Sequence, residues 1–578
     1  MAVWNFKNTG IKAVAIPSIA DDWTDSNCFP FDGGIISFQQ VFNAATTGDE
    51  FIFDDDTHIT SAQFNIGNGP GSALTITCKS RSGVAANCVL NTTLAINPIF
   101  AHNSTLYGHI FYFEDMTLTK SVVHTGTTGA IAAFTGIVED TTYTRCIFLN
   151  VTTNSALASA FGMVFYTAAM AVGSRIITFN DCQFNNLSLS AFERPGVIAA
   201  VVDNQVILNN CTMNGCSIAS TNGKVLGMFV DFGGGLINNG INVTDLTLTG
   251  DGINPINGGV FFQSAAGSII VVDDAHINGV TITGSEGGCS APLLHARISA
   301  TLTNSSITNA INNVVGNSIG CLFLIGGTGM GTVTDSIAHN NRGFYGTGCY
   351  NTFSGTVICK RVKAYNNDGG AANIGFSATS IEGVDFYSGG SGDATYEYCE
   401  SYSTNADSGA ACSSVYILHN IADARTDRNK IVNITNCTFA NPDTDLIPLM
   451  AMKMNVVGFS LTVNMTNTII RGGLVDMHIS NTLGNGNLDV NLTNCNYLTT
   501  DETEYNVGTV TEIDKIIGEP LFLSSRNLNL QFNSPCVGSA KVLPGMFGQE
   551  TLDEPVPAYD NDVGARQSKH SPLHPYNL

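Results

Sequence analysis

Apolar and polar residues alternate in a short pattern that recurs along most of the chain. The pattern is seen most plainly at residues 179–184, FNDCQF, and at residues 208–213, LNNCTM. Residues two positions apart, such as Cys182 and Phe184, lie on one face of an extended chain, so each copy predicts a β-strand with one buried face. With the cysteine position as a marker, the pattern recurs at Met116, Cys146, Cys182, Cys211, Leu246, Ala275, Ser305, Ser336, Arg361, Cys399, Cys437, Thr468 and Cys495. The mean step of about 32 residues is typical of a solenoid.

Two further strand-like stretches precede each copy of the pattern. Residues 205–208 and 269–272 are examples of the nearer stretch, and residues 259–262 and 321–325 of the farther one. Three strands per turn are therefore predicted. An asparagine or aspartate comes directly before the marker in most copies: Asp115, Asp181, Asn210, Asp245, Asp274, Asn304, Asp335, Asn436, Asn467 and Asn494. These residues tolerate the left-handed backbone of a tight corner, and stacked amides can form a hydrogen-bonded ladder.

A three-stranded turn repeated with variable loops resembles the right-handed parallel β-helix of the pectate-lyase-like superfamily, over roughly residues 33–540. The most specific part of the resemblance is the closing pattern of that superfamily, which is similar to residues 519–522 (EPLF), 528–532 (LNLQF), 533–536 (NSPC) and 562–565 (DVGA). The resemblance implies an all-β fold. It implies a right-handed, single-stranded parallel β-helix with three strands per turn and about 13 or more turns.

A short amphipathic helix is predicted before the first strand-like stretch. Ser37 is a good N-cap residue, and Phe38, Val41, Phe42 and Ala45 lie on one face of the turns that follow it. Many parallel β-helices open with a helix that covers the otherwise exposed first turn. We therefore expect an N-terminal capping helix.

The chain is predicted to have three regions. Residues 1–32 carry no repeat and contain both tryptophans, Trp4 and Trp23, so they form an N-terminal attachment or capping segment. Residues 33–540 form the parallel β-helix. Residues 541–578 contain several prolines, which break regular elements, and are expected to be an extended C-terminal tail that lies on its own chain or reaches a neighbour.

Composition and charge exclude some classes of partner. Of the 578 residues, 12% are charged and 60 are glycine, which suits strands and tight corners better than surface helices. The formal net charge of −23 disfavours binding to a phosphate backbone, so nucleic acid is not an expected partner.

Residues 156–173 are uncharged and mostly apolar, but they coincide with two predicted strands, so no membrane span is expected. No positively charged leader precedes an apolar run, so we expect no recognisable signal peptide.

The sixteen cysteines are predicted to be free thiols that fill the core. Six of them share the marker position: Cys146, Cys182, Cys211, Cys399, Cys437 and Cys495. Buried thiols behave as small hydrophobic groups, and no Cys/His cluster has the spacing of a zinc site, so we expect no cofactor. A disulfide framework is the alternative.

Asp54, Asp55 and Asp56 with His58 could hold Ca²⁺, although three acids at a strand end are more typical of a solvated turn.

One series of ionisable residues is a candidate catalytic site. Polysaccharide-cleaving β-helices use carboxylates that flank a glycosidic bond, with histidine, arginine or lysine nearby. Asp245, the pair Asp273 and Asp274, His295 and residues 361–363 (RVK) resemble, in order and rough spacing, the motifs of polygalacturonase-like glycosidases. That resemblance implies catalytic roles for Asp245, Asp273, Asp274 and His295.

A structural interpretation of the same residues stays open. Asp245 and Asp274 fall in the corner column that asparagine or aspartate fills in most turns. At residues 361–363, Val362 would point inward through a local slip in register. We therefore leave the enzyme assignment open and lean against it. An enzyme on this fold would degrade polysaccharide as a glycosidase or lyase.

An acidic β-helix without a leader is similar to virion surface proteins such as phage tailspikes and fibres. That resemblance implies a virion or extracellular surface location, a host glycan or polysaccharide as ligand, and other virion or surface-assembly subunits as partners. Aromatic residues that could stack on sugar rings occur in the later repeats: Phe386, Tyr387, Tyr396, Tyr402 and Tyr416. Spikes of this kind are commonly trimers, so a homotrimer stays open, although no heptad stretch would enforce one.

Two alternatives remain at the level of function. The first is a polysaccharide lyase or glycoside hydrolase, and a closely spaced carboxylate pair on an exposed face would favour it. The second is a structural subunit of a cell-surface or filament assembly, and an exterior without a groove would favour that.

Overall fold

The structure is a computed structural model of the chain. It describes residues 2–33, 36–65, 73–95, 99–101, 109–123, 125, 135–137, 140–155, 165–167, 175–191, 196–201, 204–220, 227–232, 234–250, 259–263, 269–283, 292–313, 321–343, 347–351, 355–368, 385–402, 414–419, 429–441, 448–481, 486–505, 508–524, 527–531, 534–536 and 539. These residues form an all-β parallel β-solenoid with very little helix, which confirms the predicted fold class. The handedness and the number of turns stay predictions.

The chain divides into two compact units, Met1–Glu286 and Gly287–Leu578. Among the described residues of the first unit there is one helix, α1 (Phe38–Ala44). Its strands are β1 (Val3–Phe6), β2 (Asp49–Phe53), β3 (Thr57–Thr60), β4 (Phe64–Asn65), β5 (Thr75–Ser80), β6 (Val89–Thr92), β7 (Phe100–Ala101), β8 (Ile110–Glu114), β9 (Thr117–Lys120), β10 (Thr135–Ile137), β11 (Asp140–Thr144), β12 (Ile147–Leu149), β13 (Thr152–Ser155), β14 (Phe165–Thr167), β15 (Ile176–Asn180), β16 (Gln183–Asn185), β17 (Ser188–Ala191), β18 (Gly196–Val201), β19 (Gln205–Asn214), β20 (Ser217–Ser220), β21 (Gly227–Phe232), β22 (Leu236–Thr249), β23 (Gly259–Gln263) and β24 (Ile270–Thr283).

In the second unit, all the regular elements among the described residues are β-strands. They are β25 (Leu294–Ala296), β26 (Ala300–Thr303), β27 (Ser306–Thr308), β28 (Ile311–Asn312), β29 (Phe323–Ile325), β30 (Met330–Thr334), β31 (Ile337–His339), β32 (Cys349–Asn351), β33 (Thr356–Lys360), β34 (Lys363–Tyr365), β35 (Phe386–Ser388), β36 (Ala394–Glu397), β37 (Glu400–Tyr402), β38 (Val415–His419), β39 (Lys430–Thr435), β40 (Thr438–Asn441), β41 (Met450–Met454), β42 (Ser460–Thr466), β43 (Ile469–Gly472), β44 (Met477–Asn481), β45 (Asn487–Thr493), β46 (Thr500–Tyr505), β47 (Gly508–Ile513), β48 (Phe522–Ser524) and β49 (Asn527–Leu530).

Each strand of the first unit pairs in parallel with its equivalent one turn away, so the strands form stacks. Stack one contains β1, β2, β5, β8, β11, β15 and the first parts of β19, β22 and β24. Stack two contains β3, β6, β9, β12, β16 and the middle parts of the same three long strands. Stack three contains β4, β7, β10, β14, β18, β21 and β23. A fourth, short stack begins at β13, so the later turns exceed the predicted three strands.

The second unit repeats these stacks and ends in a different way. Stack one contains β26, β30, β33, β36, β39, β42, β45 and β47. Stack two contains β27, β31, β34, β37, β40 and β43. Stack three contains β25, β29, β32, β35, β38, β41, β44 and β46. The last two strands, β48 and β49, form an antiparallel hairpin instead.

Aromatic rings fill the interior of the first unit because the alternate side chains of each strand point inward. The ring of Phe113 stacks on that of Tyr143 with the centroids 5.0 Å apart, and Tyr143 stacks on Phe179 at 5.2 Å. Helix α1 adds Phe38 and Phe42, both buried, to the same interior. The predicted helix is therefore present, and its apolar face covers the first turns.

A residue with left-handed backbone separates stack one from stack two in nearly every described turn. We call this position the first corner. It is occupied by Asp115, Arg145, Asp181, Asn210, Gly240, Asp274, Asn304, Asp335, Arg361, Tyr398, Asn436, Asn467, Asn494 and Asp514. Side chains at successive corners form the predicted ladder in places, as where Asn494 Nδ2 donates to Asn467 Oδ1 at 2.9 Å and Asn467 Nδ2 donates to Asn436 Oδ1 at 3.0 Å.

The register corrects two markers of the repeat. Arg361 stands at the first corner, and Val362 occupies the cysteine position because Lys363 lies opposite Ile337. Cys211 lies opposite Ile241, and Ile241 lies opposite Ala275, so Ile241 occupies the cysteine position and the assignment of Leu246 was wrong. Leu246 instead follows a second corner, between stack two and the fourth stack. The residues at that second corner are Asn150, Asn186, Gly215, Asp245, Gly279, Asn309, Asn340 and Asn366. Because both corners place a polar residue before an apolar one, the pattern alone could not separate them.

Cysteine, serine or threonine occupies most of the marker positions, and its thiol or hydroxyl donates a hydrogen bond to a main-chain carbonyl. Cys146 Sγ donates to the carbonyl of Phe113 in the adjacent turn at 3.4 Å, and where serine stands, Ser336 Oγ donates to the carbonyl of Thr334 at 2.7 Å. The fourteen cysteines among the described residues are free and buried, as predicted. Burial raises the pKa of Cys78, Cys88, Cys321 and Cys495, that of Cys495 to about 12. Cys289 and Cys412 lie outside the described residues.

The N-terminal segment begins with a strand of stack one. Strand β1 pairs in parallel with β2, and the indole Nε1 of Trp4 donates to Asp49 Oδ2 at 3.1 Å. The guanidinium of Arg81 lies over the ring of Trp23 at 4.4 Å from its centroid. The predicted boundaries after residues 32 and 540 stay predictions, and the predicted tail at 541–578 lies outside the described residues.

Candidate functional site

The predicted catalytic residues Asp245 and Asp274 lie at two different corners of the first unit. Asp274 stands at the first corner with φ of 55°, and Asp245 at the second corner with φ of 53°. Both are exposed. The same corners hold mainly asparagine, aspartate and glycine in other turns, which are the residues that left-handed backbone tolerates best. Corner geometry by itself therefore explains why an acidic residue is accepted at both positions.

The other two predicted catalytic residues lie apart in the chain. Asp273 is half-buried on β24, and its carbonyl accepts a hydrogen bond from Asn238 Nδ2 at 2.7 Å. Asp274 Oδ1 is 3.0 Å from Nε2 of His276, another exposed residue. His295 is buried on β25 of the second unit, and burial together with the charge of Arg297 lowers its pKa to about 3. An imidazole with so low a pKa is uncharged near neutral pH.

The basic residues at 361–363 are paired with carboxylates of neighbouring turns. Arg361 occupies the first corner, and its Nη2 donates to Asp335 Oδ2 at 2.7 Å. Val362 is buried, as the predicted slip in register requires. Lys363 is also buried, with its Nζ 3.8 Å from Oε2 of the buried Glu400. Both cations thus take part in contacts between turns.

The five aromatic residues predicted to stack on sugars are buried: Phe386, Tyr387, Tyr396, Tyr402 and Tyr416. Tyr387 stacks on Tyr350 with the centroids 4.1 Å apart, and Tyr402 stacks on Tyr365 at 4.9 Å. These rings contribute to packing between turns. Their role in sugar binding stays a prediction, and parts of the loops around them, at 403–413 and 420–428, lie outside the described residues.

A pocket of about 470 Å³ lies in the second unit, where β43 of stack two meets the C-terminal segment. We call it the Arg471 pocket. Its lining comprises Ala440, Arg471, Gly472, Gly473, Leu474, Asp476, Leu498, Thr499, Glu519, Pro520, Leu521 and Phe522. Four stretches of chain therefore build it: Ala440 of β40, the end of β43 with the turn that follows, the equivalent stretch one repeat later, and residues 519–522, which lead into β48.

Local sequence explains how an arginine comes to lie at the base of this pocket. Arg471 stands in stack two opposite Ala440, so a long side chain replaces a small one. Gly472 follows with φ of 118°, and a Cβ there would lie 2.3 Å from the carbonyl oxygen of Asn441, so only glycine fits this close turn. The turn leads to Asp476, whose Oδ2 lies 3.1 Å from Nη1 of Arg471. Arg471 and Asp476 are only 7% and 5% exposed.

Asp476 holds Arg471 in place. Its Oδ1 accepts the backbone N–H of Gly472 at 2.9 Å, and its Oδ2 accepts the N–H groups of Leu498 at 2.6 Å and Thr499 at 3.2 Å. Its own N–H donates to Thr499 Oγ1 at 3.0 Å. The carboxylate is thus saturated with donors, and it fixes both the guanidinium and the turn of the next repeat.

The outer side of the guanidinium is less fully occupied. Nη2 of Arg471 pairs with the carboxylate of Glu519, whose side chain is 64% exposed. Nε of Arg471 is buried and has no hydrogen-bond partner. Leu474 and Leu498 form an exposed apolar rim. The pocket therefore combines a fixed cation, one exchangeable acid and an apolar rim, an arrangement that suits an anionic group on a partly apolar body.

Within the residues that the structure describes, no group of three or more His, Cys, Asp or Glu side chains could hold a metal ion. In the same part of the chain no helix is long and apolar enough to cross a membrane. No family model matches the sequence, and no curated protein matches it.

The repeat pattern did not predict the Arg471 pocket. Its sequence signal is an interruption: two isoleucines of stack two are followed directly by arginine and two glycines, at residues 471–473. Glu519 lies in the segment that resembles the superfamily closing pattern, and that resemblance does not indicate a pocket. A search for charged residues at positions that are small or apolar in the adjacent turn would have found Arg471.

Proposed function

We propose that the protein is a virion surface protein of the tailspike or fibre type, in the pectate-lyase-like superfamily, and that its β-solenoid body presents a glycan-binding surface. The stacked turns and the resemblance of residues 519–522 and 533–536 to a superfamily closing pattern support the proposal. Its ligand is a host glycan or polysaccharide, and its partners are other subunits of the particle.

The observation that carries the proposal is the Arg471 pocket. Its volume of about 470 Å³ lies in the range of small-ligand sites, and a sugar ring needs both polar and apolar contacts. The pocket supplies the polar contact through Arg471 and the apolar contact through Leu474 and Leu498. It lies on the solenoid exterior, where the end of a long glycan can reach it.

The N-terminal segment is the part proposed to attach to the particle. Four aliphatic residues of this segment are exposed: Ile11, Val14, Ile16 and Ile19. Exposed apolar side chains gathered in one short segment are typical of a surface that another protein covers. This supports attachment to a neighbouring subunit, with a homotrimer as one arrangement.

A glycan array tests the proposal. The full chain is compared with the double variant Leu474→Ser, Leu498→Ser, which removes the apolar rim, and with Ile431→Ser, which removes an exposed aliphatic residue outside the pocket. We expect wild type and Ile431→Ser to bind the same glycans and the rim variant to lose at least tenfold in affinity. Equal binding by all three proteins would exclude this pocket. The lyase or hydrolase and the filament subunit stay as alternative predictions.

A further inference from the structure

We propose that the Arg471 pocket selects sugars that carry a carboxylate, such as a terminal uronic or sialic acid, and that the sugar carboxylate takes the place of Glu519 at the guanidinium. This inference rests on the proposed glycan-binding function and names the class of sugar.

The guanidinium of Arg471 has donor capacity that the protein does not use. Nη1 is paired with Asp476, whereas Nε is buried without a partner. A buried donor that lacks a hydrogen bond is unfavourable, so a ligand that satisfies it gains affinity. A guanidinium also presents its N–H groups in a planar fork that matches the two oxygens of a carboxylate. The unused donor therefore favours an acidic sugar over a neutral one.

The two carboxylates at Arg471 differ in how firmly they are held. Asp476 is buried and accepts three backbone N–H groups as well as the guanidinium. Glu519 is mostly exposed, and its carboxylate meets Nη2 of Arg471. Asp476 is therefore the permanent partner and Glu519 the exchangeable one. When a sugar carboxylate replaces Glu519, the charge of Arg471 stays neutralised and Glu519 becomes solvated.

The net charge of −23 limits the kind of acidic ligand that fits. An acidic polymer lying along the surface is repelled over its whole length at low salt. The repulsion is screened beyond about 8 Å at physiological ionic strength, so it acts weakly on one terminal sugar seated at Arg471. We therefore infer that the site takes a single terminal acidic residue.

Ligand-observed NMR titration of the full chain tests the selectivity. The probes are the acids D-glucuronate and N-acetylneuraminate and the neutral sugars glucose and N-acetylglucosamine. We expect wild type to bind at least one acid at least tenfold more tightly than its neutral counterpart. Arg471→Lys should lose that preference because an ammonium lacks the fork, and Glu519→Gln should bind the acid several-fold more tightly because the internal competitor is weakened. Arg342→Lys, at an exposed arginine paired with Asp368, is the matched control and should behave as wild type.

The outcomes separate this inference from the proposed function. Equal affinity for acidic and neutral sugars in wild type and in Glu519→Gln would overturn the selectivity and leave glycan binding intact. Failure of all four sugars to bind, with no glycan retained on the array, would overturn both. If Arg471→Lys does not fold, as judged by circular dichroism, the opposite shift expected for Glu519→Gln still decides the matter.

Discussion

Two aspartates of this protein, Asp274 in the first unit and Asp476 in the second, show how surroundings decide what a carboxylate does. Asp274 is exposed at a corner with left-handed backbone, and its Oδ1 lies 3.0 Å from Nε2 of His276. Asp476 is buried, and both oxygens of its carboxylate accept hydrogen bonds from backbone N–H groups. The first residue belongs to the repeat, and the second occurs where the repeat is interrupted.

The same contrast holds for two arginines of the second unit. Arg361 stands at a corner and pairs with both oxygens of Asp335 one turn away, so its charge serves the stacking of turns. Arg471 pairs with Asp476 on one side only and leaves Nε free of a partner. Of these two arginines, the one with an unpaired donor therefore lies where the repeat is interrupted.

The largest effect is expected from a carboxylate that is buried without donors. Phe42→Asp places one in the aromatic interior beneath α1, where Phe42 packs against Phe111 and His109. We expect a loss of about 4 kcal/mol or more in the free energy of unfolding, because the charge is desolvated and the ring contacts are lost. Chemical denaturation followed by circular dichroism measures the loss. Tyr112→Asp, at an exposed tyrosine of β8, is the control and should cost little.

Removal of Asp476 should have the next largest effect. Asp476→Ala leaves Arg471 with Glu519 alone and leaves the N–H groups of Leu498 and Thr499 without their acceptor. We expect a loss of about 3 kcal/mol. The corner variant Asp274→Ala should lose only about 1 kcal/mol, since alanine merely tolerates left-handed backbone less well. A larger loss for the corner variant, measured in the same denaturation series, would break the comparison.

Two histidines extend the comparison to pH. His295 has a folded pKa of about 3, below the ordinary 6.5 of the unfolded chain, so the unfolded state binds a proton first as the pH falls. The contribution of His295 to the free energy of unfolding is complete above pH 6.5, and it is lost progressively as the pH falls from 6.5 to about 3. From pH 7 to pH 5 we expect wild type to lose about 2 kcal/mol more than His295→Gln. His276→Gln, at an exposed position, is the control for the loss of an imidazole as such.

The smallest effect is expected at the corners themselves. Asp274→Asn and Asp245→Asn should each change the free energy of unfolding by less than about 0.5 kcal/mol, because asparagine adopts the same backbone and stands at equivalent corners. Thermal unfolding of each single variant measures the change. A loss above about 2 kcal/mol would show that charge matters at the corner.

Much of the fold could be predicted because each turn of the solenoid needs the same residue types at the same positions, so the pattern recurs many times in the sequence. Alternation fixes the buried face of each strand, as at Phe179 and Phe184, and the left-handed corners demand residues such as Asn210 and Asp274. The position of Leu246 could not be predicted, because two corners share one pattern and only the pairing of Cys211 with Ile241 distinguishes them.

The pocket was beyond prediction for a different reason. The arrangement of Arg471, Asp476 and Glu519 is not part of the repeating pattern, so comparison of the repeats does not reveal it. The three residues meet because the segment before β48 folds back onto β43. Two residues of the polygalacturonase-like series, Asp245 and Asp274, stand at corners, where aspartate recurs along the chain. Residue types that recur in every turn therefore indicated the fold, whereas the candidate site is built from residues that the repeat does not contain.

The most direct test of the account is one panel of polysaccharides on which retention and cleavage are both measured for wild type, Asp273→Asn and Arg471→Lys. Retention is followed with labelled protein, and cleavage by reducing ends and unsaturated uronates. We predict that wild type and Asp273→Asn retain the same glycans, that Arg471→Lys loses them, and that none of the three proteins releases product. Cleavage by wild type that Asp273→Asn abolishes and Arg471→Lys preserves would contradict the account and assign the function to the aspartates of the first unit.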